Sequence, residues 1–184
     1  MRKLSSFTFL TLNGFYKDMD NSTAWHQHDA EGAAYSEQAM QSESILLFGR
    51  ITYEMMYSFW PAPMAAELFP QVAAGMNKAE KIVYSNTLSS AEWNNTSIIK
   101  GDIVAQTQQL KTTKGNDLTI LGSGSLITQF TDAGLIYSYQ FLIDPLVIGN
   151  GVPIFNGIKE KLVLKLASQR TFKNGALLVT YERS

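Results

Sequence analysis

Apolar and polar positions recur along this chain in two rhythms, one of about 3.6 residues and one of two. Leu4 to Leu12 is rich in Leu, Phe and Thr and stops at Asn13-Gly14, which predicts a strand closed by a turn. Phe15 to Asp29 is polar, with Trp25 as its one large anchor, and is expected to be a loop. Helical spacing begins at Ala30 and runs to Glu43: Tyr35 and Ala39 share a face, while Glu37, Gln38 and Gln41 are left to water. Ile45 to Phe48 is apolar throughout, as in strands covered on both faces. Gly49-Arg50 follows, then a predicted helix from Ile51 to Phe59 that Pro61 and Pro63 end. Ala65 to Met76 predicts one more helix.

Lys81 to Tyr84 and Thr96 to Ile99 read as short strands. Asp102 is placed to cap a helix through Lys111, with Ile103, Thr107 and Leu110 on one face and Gly115 as the stop. Leu118 to Leu121 is a strand, Gly122 to Gly124 a tight turn, and Leu126 to Ala133 a helix closed by Gly134. Tyr137 to Ile143, Lys161 to Phe172 and Ala176 to Glu182 then read as strands, with Asn174-Gly175 predicting a two-residue hairpin turn. Alternating strands and helices followed by a β-rich third predict an α/β fold. Its central sheet is mainly parallel, with antiparallel C-terminal strands and helices on both faces, and it forms a single domain over 1–184.

Composition narrows the function classes. Of the 184 residues 45% are hydrophobic and 17% charged, which suits a globular chain with a core of its own. The net charge of −1 offers no broad attraction to nucleic acid or an acidic membrane. There are no cysteines, so disulfides and thiolate chemistry are excluded. The apolar segment after Met1-Arg2-Lys3 is short and broken by Ser5, Ser6, Thr8 and Thr11, so it reads as a buried strand rather than an export signal. A cytoplasmic protein acting on a small molecule is the expectation.

Two strand-to-helix junctions carry the candidate chemistry. One runs through Gly49, Arg50, Ile51 and Thr52, the other through Gly122, Ser123, Gly124 and Ser125. A helix N-terminus presents unpaired N–H groups and a partial positive charge, both of which an anion satisfies. Glycine allows close approach, the Thr and Ser hydroxyls add donors, and Arg50 adds a forked cation. At the carboxyl ends of a parallel sheet, two such turns could hold a pyrophosphate between them. Neither is a Gly-Lys-Ser/Thr phosphate loop, and Ile127 stands where a G-x-G-x-x-G pattern needs its third glycine.

Five ordered segments resemble the dihydrofolate reductase superfamily, on the branch that includes the reductase domain of riboflavin biosynthesis. Gly49-Arg50-Ile51-Thr52-Tyr53-Glu54, with Trp60-Pro61 after it, resembles G-R-x-T-[YW]-E. Thr11-Leu12-Asn13-Gly14 resembles S-L-D-G, and Lys81 to Leu88 resembles K-x-V-x-S-R-T-L. Gly122 to Ile127 resembles G-G-x-x-L-I, and Pro145 to Phe155 resembles P-x-x-x-G-x-G-x-P-L-F. The resemblance implies hydride transfer from NADPH, with NADH as the alternative, to a pteridine- or pyrimidine-like substrate. It implies that Gly49, Arg50 and Thr52 hold cofactor phosphates, with Arg50 and Ser85 beside the adenosine 2′-phosphate. It also places Gly122, Ser123, Gly124 and Ser125 at the pyrophosphate, Leu126 under them, and Thr11 and Asn13 at the nicotinamide.

The chain departs from that pattern. Asn86 replaces the family's Arg at the 2′-phosphate, Asn13 its Asp, and Tyr137-Ser138 an acidic pair. Ser123 replaces the second glycine, whose preceding bond the family resemblance makes cis; here a trans or strained Gly122–Ser123 bond is expected. A proton donor is needed for the hydride acceptor. Asp29 and Glu31, just after Trp25, are the candidates, although both would equally favour a helix N-terminus. His26 and His28 could include a substrate donor, but without a third ligand cluster they form no metal site in a polar, exposed loop. A non-catalytic nucleotide-binding sensor or assembly partner is the competing reading. The alternating apolar residues of Leu162 to Phe172 and Ala176 to Glu182 predict a homodimer, which the resemblance also implies.

Overall fold

A computed structural model describes all 184 residues. The elements in chain order are β1 (Leu4–Thr11), β2 (Phe15–Lys17), α1 (Ala30–Met40), β3 (Ile45–Gly49), α2 (Arg50–Phe59), α3 (Pro63–Leu68), α4 (Pro70–Lys78) and β4 (Lys81–Tyr84). They continue with β5 (Thr96–Ile99), α5 (Ile103–Thr112), β6 (Leu118–Leu121), α6 (Gly124–Asp132), β7 (Ser138–Asp144), β8 (Val152–Pro153), β9 (Leu164–Thr171) and β10 (Leu177–Arg183). Eight strands form one sheet in the order β5-β4-β3-β6-β1-β7-β10-β9. From β5 to β7 all neighbours are parallel; β10 runs antiparallel to both β7 and β9. This is the mixed α/β architecture expected from the alternating pattern, with the carboxyl ends of β3, β6, β1 and β7 along one edge.

The sheet separates its cores by the period of two. On β3, Ile45 and Leu47 join a cluster with Ile120, Leu126, Ile127 and Phe130, whereas Leu46 and Phe48 join Tyr53, Val72, Met76 and Trp93 on the other face. All four β3 side chains are buried, which is why their run carries no polar alternation. Leu126, Ile127 and Phe130 fix α6 against the sheet, each burial being worth roughly 1.5–3 kcal/mol. A third, smaller cluster of Leu142, Phe172, Ala176 and Leu178 packs with Phe7, Phe9 and Tyr35 under α1.

Four local features differ from the sequence reading. The expected helix Ala65–Met76 is two helices, because Pro70 takes the first turn of α4 and Phe69 breaks the run at φ −138°, ψ 62°. The expected loop after Gly14 contains β2, which pairs antiparallel with β8 in a small separate sheet. The hairpin between β9 and β10 is not a two-residue turn on Asn174-Gly175. Phe172 and Ala176 close a three-residue loop, with the Gly175 N–H donating to the Phe172 carbonyl and Gly175 alone left-handed at φ +88°. Lys81 opens β4 fully buried. Its ammonium donates to the carbonyls of Met76, Asn77 and Ala79 and lies 4.6 Å from the Trp93 ring centroid, closing the end of α4.

Candidate functional site

The two glycine turns lie on one edge, and side chains bind them to each other. β3 ends at Gly49, the N-cap of α2; β6 leads through Gly122 to Ser123, the N-cap of α6. Ser123 takes a left-handed conformation, φ 55° and ψ 61°, which costs a non-glycine residue about 1–2 kcal/mol. Its hydroxyl compensates by accepting the Gly49 N–H at 2.9 Å. The chain has no cis peptide, so Gly122–Ser123 is trans and the departure from glycine is absorbed in φ.

Between the turns lies a cleft of about 370 Å³. Gly49, Arg50, Thr52, Ser85, Asn86, Ser123, Ser125 and Leu126 line it, joined by Tyr16, Lys17, Gly101 and Gln129. The lining holds two cations, Lys17 and Arg50, and no carboxylate. Arg50 is half-exposed and pairs along α2 with Glu54 at 2.9 Å, an exposed pair that is weak enough to yield to a phosphate. Burial pushes the Lys17 ammonium below its ordinary value. Ser85 accepts from the Leu88 N–H at 3.0 Å and Asn86 from the Gly101 N–H at 2.8 Å, so both shape the turn after β4 as well as lining the cleft.

Of the six helices, two carry a side-chain cap and four, α3 and α4 among them, do not. α1 and α5 are each capped by an aspartate, Asp29 on the Gly32 N–H and Asp102 on the Ala105 N–H. α2 and α6 have no side-chain cap. Gly49 and Arg50 at the start of the one, and Ser123 and Ser125 at the start of the other, line the cleft, where an anion could satisfy first-turn N–H groups left free. At α6 two of these donors are taken: the Ser123 carbonyl accepts from the Leu126 N–H at 2.9 Å, and the Tyr16 phenol oxygen accepts from the Gly124 N–H. Its ring packs so closely that a Cβ on Gly124 would stand 2.6 Å from Tyr16 Cε1, which explains the glycine. Burial pushes the Tyr16 phenol up, and the Gly124 bond offsets part of that.

Other expected site residues lie elsewhere. Gly122 and Gly124 shape the second turn behind the cleft wall; φ at Gly122 is +59°. Thr11 and Asn13 do not line the cleft. The Thr11 hydroxyl donates to the Asn13 side chain at 2.8 Å and accepts from the Phe15 N–H, while the Asn13 amide donates to the Ile148 carbonyl at 2.9 Å. They tie the exit of β1 to the segment after β7. Asp29 and Glu31 do not reach the cleft either. Asp29 caps α1 at 2.7 Å, and Glu31 binds the Arg170 guanidinium and accepts the Lys173 N–H at 2.8 Å. Those two partners, the Lys173 N–H first, hold the Glu31 carboxyl below its ordinary range. A first-turn carboxylate at α1 is thus accounted for by the helix and by the β9–β10 hairpin.

The buried carboxylate is one that the sequence reading did not single out. Asp144 ends β7 with no exposure and binds His26 Nδ1 at 2.7 Å. His26 is itself buried, its ring stacked on Phe9 at 3.8 Å, while Gln27 and His28 after it stay exposed as the polarity of the loop predicted. No group of three or more His, Cys, Asp or Glu side chains is arranged to hold a metal ion. No helix is long and apolar enough to cross a membrane.

The cleft lies at the carboxyl edge of the parallel strands, where open α/β sheets gather their ligands. Residues 2–178 match the RibD C-terminal domain, and the chain belongs to that family. The Bacillus subtilis protein YyaP, itself uncharacterized, is 27% identical over 172 residues, spanning 94% of this chain and 90% of YyaP. The crystal structure of a putative riboflavin biosynthesis protein from Shewanella sp. PV-4 superposes with a TM-score of 0.75 at 22% identity, covering 99% of each chain. Dihydrofolate reductase from Enterococcus faecalis, complexed with NADP(H) and RAB-propyl, superposes with a TM-score of 0.63 at 13% identity, over 99% of this chain and 96% of the reductase. The shared fold is dihydrofolate-reductase-like.

Proposed function

We propose that this protein is an NADPH-dependent reductase that transfers a hydride to a small pteridine- or pyrimidine-like substrate. The observation that carries the reading is the cleft itself: two uncapped helix N-termini face a space lined by Lys17 and Arg50 and by no carboxylate. The family and the dihydrofolate-reductase-like neighbours support the same reading. When bound, the dinucleotide supplies the hydride. The chain's own residues bind and orient. The α2 and α6 N-termini, with Thr52, Ser123 and Ser125, receive the pyrophosphate. Arg50, Lys17 and Ser85 give the adenosine phosphate its partners, and Asn86 supplies no charge there, which leaves NADH as the weaker alternative. Thr11 and Asn13 border the continuation of the edge past β1.

The test is consumption of NADPH, followed by the absorbance of the reduced nicotinamide, against a panel of oxidised pteridines and aminopyrimidines. Stoichiometric oxidation with one panel member is the expected result. Binding of NADPH without turnover of any member would favour the second reading, a non-catalytic nucleotide-binding sensor or assembly partner. One observation favours that reading: Asp29 and Glu31 are engaged in capping and ion pairing.

A homodimer belongs to the same proposal. β9 ends the sheet with an open edge and nearly every residue exposed, Leu166 among them, and Val163 stands exposed just before it. A dimeric mass by light scattering is expected, and a monomeric mass at micromolar concentration would contradict it. The reading places the protein in the cytoplasm, where reduced dinucleotide is available.

A further inference from the structure

The chain's two histidines stand together just before α1, their ring centroids 4.6 Å apart and their planes nearly perpendicular. His26 is the buried one. Asp144 Oδ2 binds its Nδ1 at 2.7 Å, the other Asp144 oxygen takes the Gln27 N–H at 3.4 Å, and Phe9 stacks on the ring. Its second nitrogen, Nε2, has no partner within the protein and is not among the enclosed polar atoms without one. A buried carboxylate that takes Nδ1–H sets the tautomer and balances the charge of the imidazolium, whose Nε2–H is then the free donor.

The sheet places this pair on the edge that carries the cleft. Asp144 ends β7 in register with Thr11 at the end of β1, and β1 lies next to β6, which delivers the Gly122 turn. Two strand spacings of about 4.8 Å therefore separate the dyad from that turn. The cleft extends the other way, past β3 to Ser85, Asn86 and Gly101 beyond β4. A dinucleotide with its pyrophosphate between the turns and its adenosine half toward β4 must direct its nicotinamide half over β1 and β7.

We propose that His26, positioned by Asp144, is the proton donor of the reductase site, acting on a substrate with a polarised C=O or C=N bond. The proposal rests on the reductase reading above. In the step, the electrophilic carbon accepts a hydride from the reduced nicotinamide and the π pair of the double bond moves onto the oxygen or nitrogen. That atom takes the proton from His26 Nε2, whose N–H electron pair stays on the imidazole. The substrate gains two electrons and two hydrogens, the dinucleotide leaves oxidised, and water at the open Nε2 returns the proton. Asp144 is a positioning residue, since it holds Nδ1–H and balances the imidazolium.

The presence of only two histidines makes the test direct. The imidazole nitrogens are followed by NMR in the whole chain, free and saturated with NADP⁺ or NADPH, against pH. Asp144 and His28 are the titratable groups against the His26 ring; Phe9 and the Trp25 edge complete its surroundings. With the cationic oxidised ring beside it, the His26 Nε2 resonance is expected to differ between the NADP⁺ and NADPH complexes. Asp144→Asn is expected to change the tautomer ratio of His26 while both cofactors still bind. Bound cofactor with identical His26 resonances in the two redox forms overturns the proposal alone. Failure of both cofactors to bind overturns the reductase reading, and the proposal with it.

Discussion

Ser123 is the point where the two turns of the cleft depend on one another, and its replacement by alanine or glycine separates two opposing effects. The hydroxyl accepts the Gly49 N–H at 2.9 Å. Alanine removes that acceptor from a partly buried donor, at about 1–3 kcal/mol, and leaves the left-handed backbone as strained as before. Glycine removes the same acceptor but relieves about 1–2 kcal/mol of left-handed strain at φ 55°. Part of that relief is offset by the greater freedom of glycine in the unfolded chain, about 0.5–1 kcal/mol. Ser123→Ala is therefore expected to lose about 2 kcal/mol, and Ser123→Gly about 1 kcal/mol less than that. Glycine also outperforms alanine at an ordinary N-cap, so both effects set the same order and its reversal would contradict both. Urea unfolding followed by Trp fluorescence reads both values. A glycine variant less stable than the alanine variant, or an alanine variant within about 0.5 kcal/mol of the parent, would refute the reasoning.

Two further predictions follow from particular contacts. Tyr16→Phe removes the phenol oxygen that holds the Gly124 N–H; with a bond of about 1 kcal/mol no longer to be displaced, NADPH is expected to bind roughly fivefold tighter. Weaker binding in a fluorescence titration would instead show that the hydroxyl contacts the cofactor. Burial pushes the Tyr35 phenol, which donates to Gln140 at 2.5 Å, up to about 12. The folded state then keeps a proton that the unfolded chain releases from about pH 10 upward, so stability falls as pH rises through this window. Tyr35→Phe, lacking the titration, is expected to lose less stability than the parent between about pH 10 and 11.5 in urea melts, and equal losses would contradict it.

Much of the fold was legible because its strands are local and fully covered. Ile45 to Phe48, Lys81 to Tyr84 and Leu118 to Leu121 each announced a strand, the first of them covered on both faces, and the glycine turns after the first and third stand where the cleft is. What escaped the sequence was set by distant partners. β2 and β8 are short segments with no periodicity of their own, and each is a strand only because the other returns to it. His26 and Asp144 lie 118 residues apart, so the polar segment before α1 gave no sign that His26 within it would be buried. A signal did exist for Asp144: a carboxylate closing an otherwise apolar run, Phe141-Leu142-Ile143, at the carboxyl end of a parallel strand, where ligands gather. Asp29 and Glu31 are held by local partners. Carboxylates beside a helix start satisfy the helix first, and here a hairpin cation takes the second of them.

The central claim is that the cleft between the two glycine turns binds a reduced pyridine dinucleotide through its phosphates. Titration of the parent and of Arg50→Ala with NADPH and with NADH, followed by quenching of Trp fluorescence, tests it most directly. Arg50 is half-exposed and pairs only with Glu54, so its removal leaves the fold intact. The account predicts saturable NADPH binding in the parent, weakened about tenfold in Arg50→Ala by the loss of one charge-assisted phosphate contact, with NADH binding unchanged. Absence of saturable binding of either dinucleotide to the parent would contradict it.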